Sequence, residues 1–222
     1  MKSQLLKLFV CALLVAPLIY CQNSPLPNGV QTHDGFFLRL VPAVGYSQVT
    51  INYSNEEWLP DMYQGKDFIN FTGFSVGNSI QIGGAVSENL IIFGESGGVY
   101  AINPSIKVFD NEVDNTEDFL VGFGGFGPGV TYYFMPANVY LSVTILADVA
   151  IFKSGGETSR SDMGYGFNFM AGKEWWSGEQ WGLGISLYFR YGSQTDMGES
   201  GDQDDLTISG YSFGALFSAT FN

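Results

Sequence analysis

The sequence predicts an all-β fold, an eight-stranded antiparallel up-and-down transmembrane β-barrel. Three observations support this prediction. Segments in which apolar residues alternate with small or polar ones recur along the chain, the connections between them alternate between long and short, and acidic residues concentrate in the long connections. Short turns at one end and long loops at the other are the asymmetry of outer-membrane barrels.

Residues 1–22 are predicted to be a secretory signal peptide. Lys2 and Lys7 form a basic start, and the apolar stretch 8–16 that follows is too short to span a bilayer as a helix. An alternative is a lipoprotein signal in which the thiol of Cys21 carries lipid. Either way the protein is exported.

Residues 23–34 are rich in Pro, Gly and Asn and are expected to form a periplasmic linker. Residues 35–222 are expected to form the barrel, since a single barrel can use roughly 200 to 250 residues. The two cysteines lie in or at the edge of the signal peptide, so the mature chain has no internal disulfide. Acidic residues outnumber basic ones 22 to 9, which argues against a nucleic-acid surface.

The first strands are the least regular. Strand one starts at Phe36 and alternates apolar side chains with Arg39 and small residues, and Pro42 within it predicts a bulge because proline cannot donate to a ladder. Strand two sets its apolar residues against Gly, Ser and Gln, whereas strand three loses its alternation after Phe93.

The later strands alternate more strictly. Strand five carries Val, Leu and Ile opposite Tyr140, Ser142, Thr144 and Asp148, and strand seven has Trp, Leu, Ile, Phe and Tyr at every odd position from 181 to 191. A strand whose successive side chains point to opposite faces gives this pattern. We expect the eight strands at residues 36–51, 71–86, 90–101, 119–134, 139–152, 164–176, 181–192 and 207–221.

The small, polar face of each strand is expected to point inward and the large apolar face toward lipid. An eight-stranded barrel has room only for its own side chains or one small ligand. A soluble, lipocalin-like barrel would need the large face inside, which would overfill the lumen. Lipid is the solvent that suits the large face, and a closed barrel leaves no backbone group unpaired in hydrocarbon.

Three segments, HDGFFLRL (33–40), GPGVTYYFMPANVYLS (127–142) and GKEWWSGEQWGLGISL (172–187), resemble small bacterial outer-membrane β-barrel proteins of the OmpX and OmpW type. The resemblance covers most of residues 33–222 and implies a barrel fold and an outer-membrane location, with little about activity. Members usually end in an aromatic residue that the barrel-assembly machinery reads, whereas here Asn222 follows Phe221.

Four charged residues are predicted to point into the lumen: Arg39, Glu95, Asp148 and Arg190. Their charges balance, and Asp148 and Arg190 each lie about ten residues from the short-turn end of their strands, so these two are expected to pair. Because charges removed from water need partners, we interpret the four as a buried ion-pair plug. A path for protons or solutes is the functional alternative.

The long connections hold 16 of the 22 acidic residues and four basic ones. Asp110, Glu112 and Asp114 match the first ligand positions of an EF-hand loop, but Asn115 replaces the turn glycine and Val121 the bidentate glutamate, so the motif fails. The loops are interpreted as solvated surface, with a weak Ca²⁺ or Mg²⁺ site as the alternative. That site would consist of Glu199, Asp202, Asp204 and Asp205.

Aromatic side chains are expected at the membrane interfaces, where amphipathic rings are enriched. These are Trp175, Trp176, Trp181 and Tyr191. An enzyme of this fold normally needs a histidine as general base. The one histidine, His33, precedes strand one on the short-turn side and is interpreted as a polar linker residue.

These observations predict a plugged outer-membrane barrel without enzymatic activity, metal or other cofactor. Its expected role is structural, adhesive or surface-binding, with both termini in the periplasm. Alternatives are a narrow porin or transporter for small hydrophobic molecules and, less favoured, a lipid-modifying enzyme of the envelope. Expected partners are outer-membrane lipid and lipopolysaccharide, the barrel-assembly machinery and an extracellular ligand.

Overall fold

The computed structural model describes residues 32–53, 67–113, 118–196 and 206–221. No helix in these ranges is long and apolar enough to cross a membrane. The described residues form eleven strands: β1 (Phe36–Tyr53), β2 (Ile69–Ser87), β3 (Leu90–Ile102), β4 (Ser105–Val108), β5 (Asn111–Val113), β6 (Phe119–Phe134), β7 (Val139–Ser154), β8 (Glu157–Arg160), β9 (Gly164–Trp176), β10 (Trp181–Asp196) and β11 (Leu206–Phe221).

Eight long strands close into a barrel because β1 pairs with both its neighbour in sequence, β2, and the last strand, β11. The order around the barrel is β1, β11, β10, β9, β7, β6, β3 and β2, and every pairing is antiparallel. The predicted eight-stranded antiparallel barrel is confirmed. Closure leaves no free sheet edge among these strands.

Two of the connections predicted as loops contain further strands. Within 102–118, β4 and β5 form a hairpin that pairs with the outer end of β2. Within 153–163, β7 continues to Ser154 and β8 returns alongside it after a turn at Gly155 and Gly156, whose positive φ values suit glycine. The alternation of apolar and polar residues did not predict these strands, because the outward face of a strand need not be apolar beyond the lipid.

The bulge predicted at Pro42 is wrong. Pro42 pairs with Asn78, and the register of β1 with β2 is constant on either side of it. On the β11 side, pairing resumes at Ala43 in the register that held at Leu40. Proline is tolerated here without an extra residue, and the irregularity of the sheet lies between Ala85 and Ser87 instead.

The outer face of the barrel is apolar, as predicted. Leu187 is 69% exposed and Ile145 is 67% exposed, and both lie midway along their strands. The residues next to them on the same strands, Ser186 and Thr144, are buried in the interior. The alternation in sequence therefore corresponds to the two sides of the barrel wall.

The interior differs from the small, polar lumen expected from the sequence. Two clusters of buried apolar side chains fill it, one in each half. Toward the short turns lie Phe37, Val41, Ile91, Phe93, Val99, Tyr133, Tyr140, Met170, Tyr188 and Leu216. Toward the long loops lie Val49, Phe71, Ala101, Val121, Phe123, Ala150 and Ile208.

Glycines on the inward faces make room for these large side chains. A Cβ built on Gly129 would lie 2.4 Å from the ring of Phe93, and one on Gly192 would lie 3.0 Å from the ring of Phe123. Small residues next to large ones let a narrow barrel hold aromatic rings. Inward-facing residues are therefore small where they lie next to an inward-facing aromatic ring. Together the large and small side chains fill the lumen.

Candidate functional site: a buried polar column

A polar cluster lies at the short-turn end of the lumen around Arg39 of β1 and Glu174 of β9. The Arg39 Nε lies 3.3 Å from Glu174 Oε1, and both side chains are fully buried. Arg39 also donates to Thr220 Oγ1 at 3.2 Å, to Gln81 Oε1 at 3.1 Å and to the hydroxyl of Tyr133. The guanidinium is thereby satisfied on several sides, as a buried charge requires.

Glu174 is held by three hydroxyl donors besides Arg39. Tyr133 donates to Oε2 at 3.0 Å, while Thr220 and Ser218 donate to Oε1 at 2.7 and 3.1 Å. The Arg39 Cζ also lies 4.2 Å from the ring centroid of Tyr140, a cation–π distance. Six strands, β1, β2, β6, β7, β9 and β11, thus contribute side chains to one tightly bonded cluster.

Glu174 was not among the residues predicted to point into the lumen, and its presence changes the predicted ion pairs. Arg39 has Glu174 as its ion-pair partner, not one of the three other predicted residues. The buried set among described residues holds two arginines and three acids, so the expected balance of charges is wrong. Alternation along β9 could have predicted it, because residue 174 is an even number of residues from Gly166 and Asn168, which point inward.

Glu95 of β3 lies deeper in the lumen and is bonded by neutral groups. It accepts from Gln81 Nε2 at 3.0 Å, Thr144 Oγ1 at 2.6 Å and Asn168 Nδ2 at 3.0 Å. No basic residue of the described chain forms an ion pair with it. Three donors stabilise a carboxylate without a direct counterion.

Asp148 of β7 and Arg190 of β10 lie farther toward the long loops and form the predicted ion pair, with Arg190 Nη2 2.8 Å from Asp148 Oδ1. Both side chains are buried. Arg190 is also the register partner of Asn168, which donates to Glu95. An ion pair therefore joins Glu174 to Arg39, and hydrogen bonds run from Arg39 through Gln81 to Glu95 and Asn168. These residues, with the Asp148 and Arg190 pair beside them, are called the polar column.

His33 caps the column at the short-turn end, so its interpretation as a simple polar linker residue is wrong. The imidazole is fully buried and stacks on Tyr133 with ring centroids 3.4 Å apart and on Trp176 at 4.9 Å. Its Nε2 hydrogen-bonds Asn138 Oδ1 at 2.9 Å. The backbone of His33 also bonds Asn89, so the segment before β1 is anchored to two turns.

Replacing His33 with alanine is expected to destabilise the barrel by about 1–3 kcal/mol, because two ring contacts and a buried hydrogen bond are lost. Urea unfolding in phospholipid vesicles, followed by tryptophan fluorescence, measures this. The control is Asp34→Ala at the adjacent exposed position, which should stay within about 0.5 kcal/mol of wild type. Equal stability of the two variants would contradict the capping role.

The four aromatics expected at the interfaces divide into two groups. Trp175 and Trp181 are 43% exposed on the outer face at the short-turn end, and Tyr191 is on the same face of β10 toward the other end. Trp176 points the other way and stacks on His33, which corrects its assignment to the girdle. The strand period explains this, since neighbours in a strand cannot both face lipid.

The acidic candidates are only partly described. Glu199, Asp202, Asp204 and Asp205 lie outside the described residues, and their cation site stays a prediction. Asp110 and Glu112 belong to the β4–β5 hairpin and its turn. Within the described part of the chain, no group of three or more His, Cys, Asp or Glu side chains could hold a metal ion.

No protein-family model and no curated protein matches the sequence. The closed strand order and the apolar outer face nevertheless define the architecture. The fold is that of a small outer-membrane β-barrel. The resemblance expected from the three sequence segments is thus confirmed at the level of the fold.

Solved structures similar to this outer-membrane-type barrel include three bacterial proteins. Neisserial surface protein A is 16% identical with a TM-score of 0.41, covering 82% of this chain and 95% of its own. The outer membrane protein OprG from Pseudomonas aeruginosa is 9% identical with a TM-score of 0.47, covering 86% and 98%. The outer membrane protease OmpT from Escherichia coli is 8% identical with a TM-score of 0.44, covering 87% and 99%.

Proposed function

We propose that the protein is a closed barrel of the Gram-negative outer membrane that acts through its surface loops, in a structural or adhesive role and without enzymatic activity. The observation that carries the proposal is the filled lumen, in which one apolar cluster packs around the polar column toward the short turns and a second lies toward the long loops. A continuous passage for solutes would have to displace these side chains. The start of β1 at Phe36 and the end of β11 at Phe221 lie at the short-turn end, and we propose that this end faces the periplasm.

The polar column serves to lock the strands around the lumen. Each of its charged groups is bonded to side chains from other strands, and each bond is made in a low-dielectric interior, where it is stronger than in water. Arg39 and Glu174 join β1 to β9, while Arg190 and Asp148 join β10 to β7. Such cross-links favour one packed state over an open channel.

The partner of the loops is proposed to be cationic. The long connections carry 16 acidic and four basic residues, and Glu112, Asp118 and Glu157 are exposed there. A surface of one sign attracts partners of the other and repels like-charged ones. Lipid and lipopolysaccharide surround the barrel wall, and the barrel-assembly machinery inserts it.

Proteoliposomes test the closed state. Vesicles that contain the purified protein are expected to take up arabinose and a small hydrophobic solute such as naphthalene no faster than protein-free vesicles, and to show no channel conductance. In the same vesicles, a hexalysine peptide should bind to the wild type more tightly than to the triple variant Glu112→Gln, Asp118→Asn and Glu157→Gln.

Two results would count against the proposal. Protein-dependent uptake of naphthalene would support a transporter of hydrophobic molecules instead. Equal hexalysine binding by the wild type and the triple variant would contradict the proposal that the loops bind a cationic partner. Heat-modifiable mobility on gels serves as the folding control for every variant.

A further inference from the structure

The lipid-facing side of the barrel changes character midway along β2 and β3. Asn78 and Ser96 are exposed there, although the outward residues that flank them on β2 are apolar, with Phe74 58% and Ile82 50% exposed. Gly98 is the register partner of Asn78, and Ile80 is that of Ser96. A polar and small-residue patch therefore interrupts the apolar belt.

The patch is also concave. A groove of about 260 Å³ opens there, with walls from β1, β2 and β3 that include Leu40, Pro42, Asn78 and Ser96. Pro42 contributes no N–H and is the register partner of Asn78 on the other side. Side chains from three neighbouring strands thus form the groove.

The amide of Asn78 needs a partner in this position. The side-chain amide forms no hydrogen bond with any described residue of its own chain. An amide that faces hydrocarbon without a partner costs free energy, because lipid tails offer neither donors nor acceptors. Polar residues at such depth usually mark a contact or a functional site.

The depth of Asn78 decides between lipid and protein as the partner. Asn78 lies four residues from Phe74, the outermost apolar residue of the β2 lipid face. At about 3.3 Å per residue and a tilt of about 40°, this places the amide about 10 Å inside the apolar belt. The ester, amide and hydroxyl groups of lipids lie near the interface, above this level.

We propose that the groove is the contact surface of a homodimer in the membrane. An amide carries both donors and an acceptor, so two Asn78 side chains related by a twofold axis satisfy each other. Gly94 and Ser96 are small and exposed and let two barrel walls approach closely, as small residues do between helices in membranes. The exposed Ile80 of one copy lies beside the groove and faces the other copy.

A photo-crosslinker tests the dimer in the native membrane. The full-length chain carrying p-benzoyl-phenylalanine in place of Ile80 is illuminated in outer membranes, and the adducts are identified by mass spectrometry. The expected main product is a covalent dimer of this chain. Adding Asn78→Leu should lower its yield about tenfold, because the paired amides are lost.

The matched control carries the crosslinker in place of Leu187, which is 69% exposed on β10, three strands away from β2. It should yield lipid adducts only. Lipid adducts alone at position 80, an adduct to a different protein, or a dimer yield that Asn78→Leu leaves unchanged would each overturn the proposal. Asn78→Leu should keep the heat-modifiable mobility of the wild type, and the dimer does not depend on whether the lumen is closed.

Discussion

Replacing Arg39 with alanine is expected to destabilise the barrel by about 3–5 kcal/mol, because Glu174 would remain buried without its counterion. The Arg39 side chain also donates to Gln81 and Thr220, so its loss leaves further polar atoms without partners. Equilibrium urea unfolding in phospholipid vesicles measures the effect. The variant should unfold at a markedly lower urea concentration than the wild type.

The double variant Arg39→Met with Glu174→Gln separates a charge effect from a packing effect. Removing both charges removes the uncompensated carboxylate as well, so most of the lost stability should return. Arg160→Ala, at an exposed position of β8, is the matched control and should stay within about 0.5 kcal/mol of wild type. If Arg39→Ala were no more destabilising than Arg160→Ala, the proposal that the polar column holds the strands together would be refuted.

Replacing Leu187 with arginine is expected to destabilise the protein in lipid by about 2–4 kcal/mol, the cost of a cation near the middle of a bilayer. Leu187 is 69% exposed at the centre of β10, and its neighbours on the outer face are apolar. In a soluble barrel the same change would add a charge to a water-exposed surface at little cost. Unfolding in vesicles measures it against wild type.

Thr195→Arg is the control for this prediction. Thr195 is exposed on the same face of the same strand, eight residues farther from the short-turn end and beyond the apolar belt. Arginine there should cost about 0–1 kcal/mol, since the penalty falls off near the interfaces. Similar effects of the two substitutions would contradict the assignment of the β10 outer face to lipid.

The strands that span the apolar belt could be predicted closely because lipid imposes a period-two pattern. Strands β7, β9 and β10 begin at or next to the predicted residues. Beyond the belt both faces of a strand meet water or the protein itself, and the pattern no longer reports the strand. The β4–β5 hairpin, β8 and the outer ends of β2 and β10 were missed for this reason.

The inward charges were predictable one by one, and so was the pairing of Asp148 with Arg190, whereas the partners of Arg39 and Glu95 were not. Parity within a strand places Arg39, Asp148 and Arg190 on the inner face. Which groups meet depends on the register and tilt of strands far apart in sequence, such as β1 and β9, which supply Arg39 and Glu174. His33 illustrates the limit, because nothing in its local sequence shows that Tyr133 and Trp176 will enclose it.

By itself, the sequence determined the number of strands in the barrel, the face that meets lipid and the end that carries the acidic loops. These features follow from local alternation and from connection length. Only the tertiary structure decided how the lumen is filled, that Glu174 pairs with Arg39, and that Asn78 lies in a groove on the lipid face. Closure of the barrel brings side chains from distant strands within hydrogen-bonding distance, and no local pattern encodes those distances.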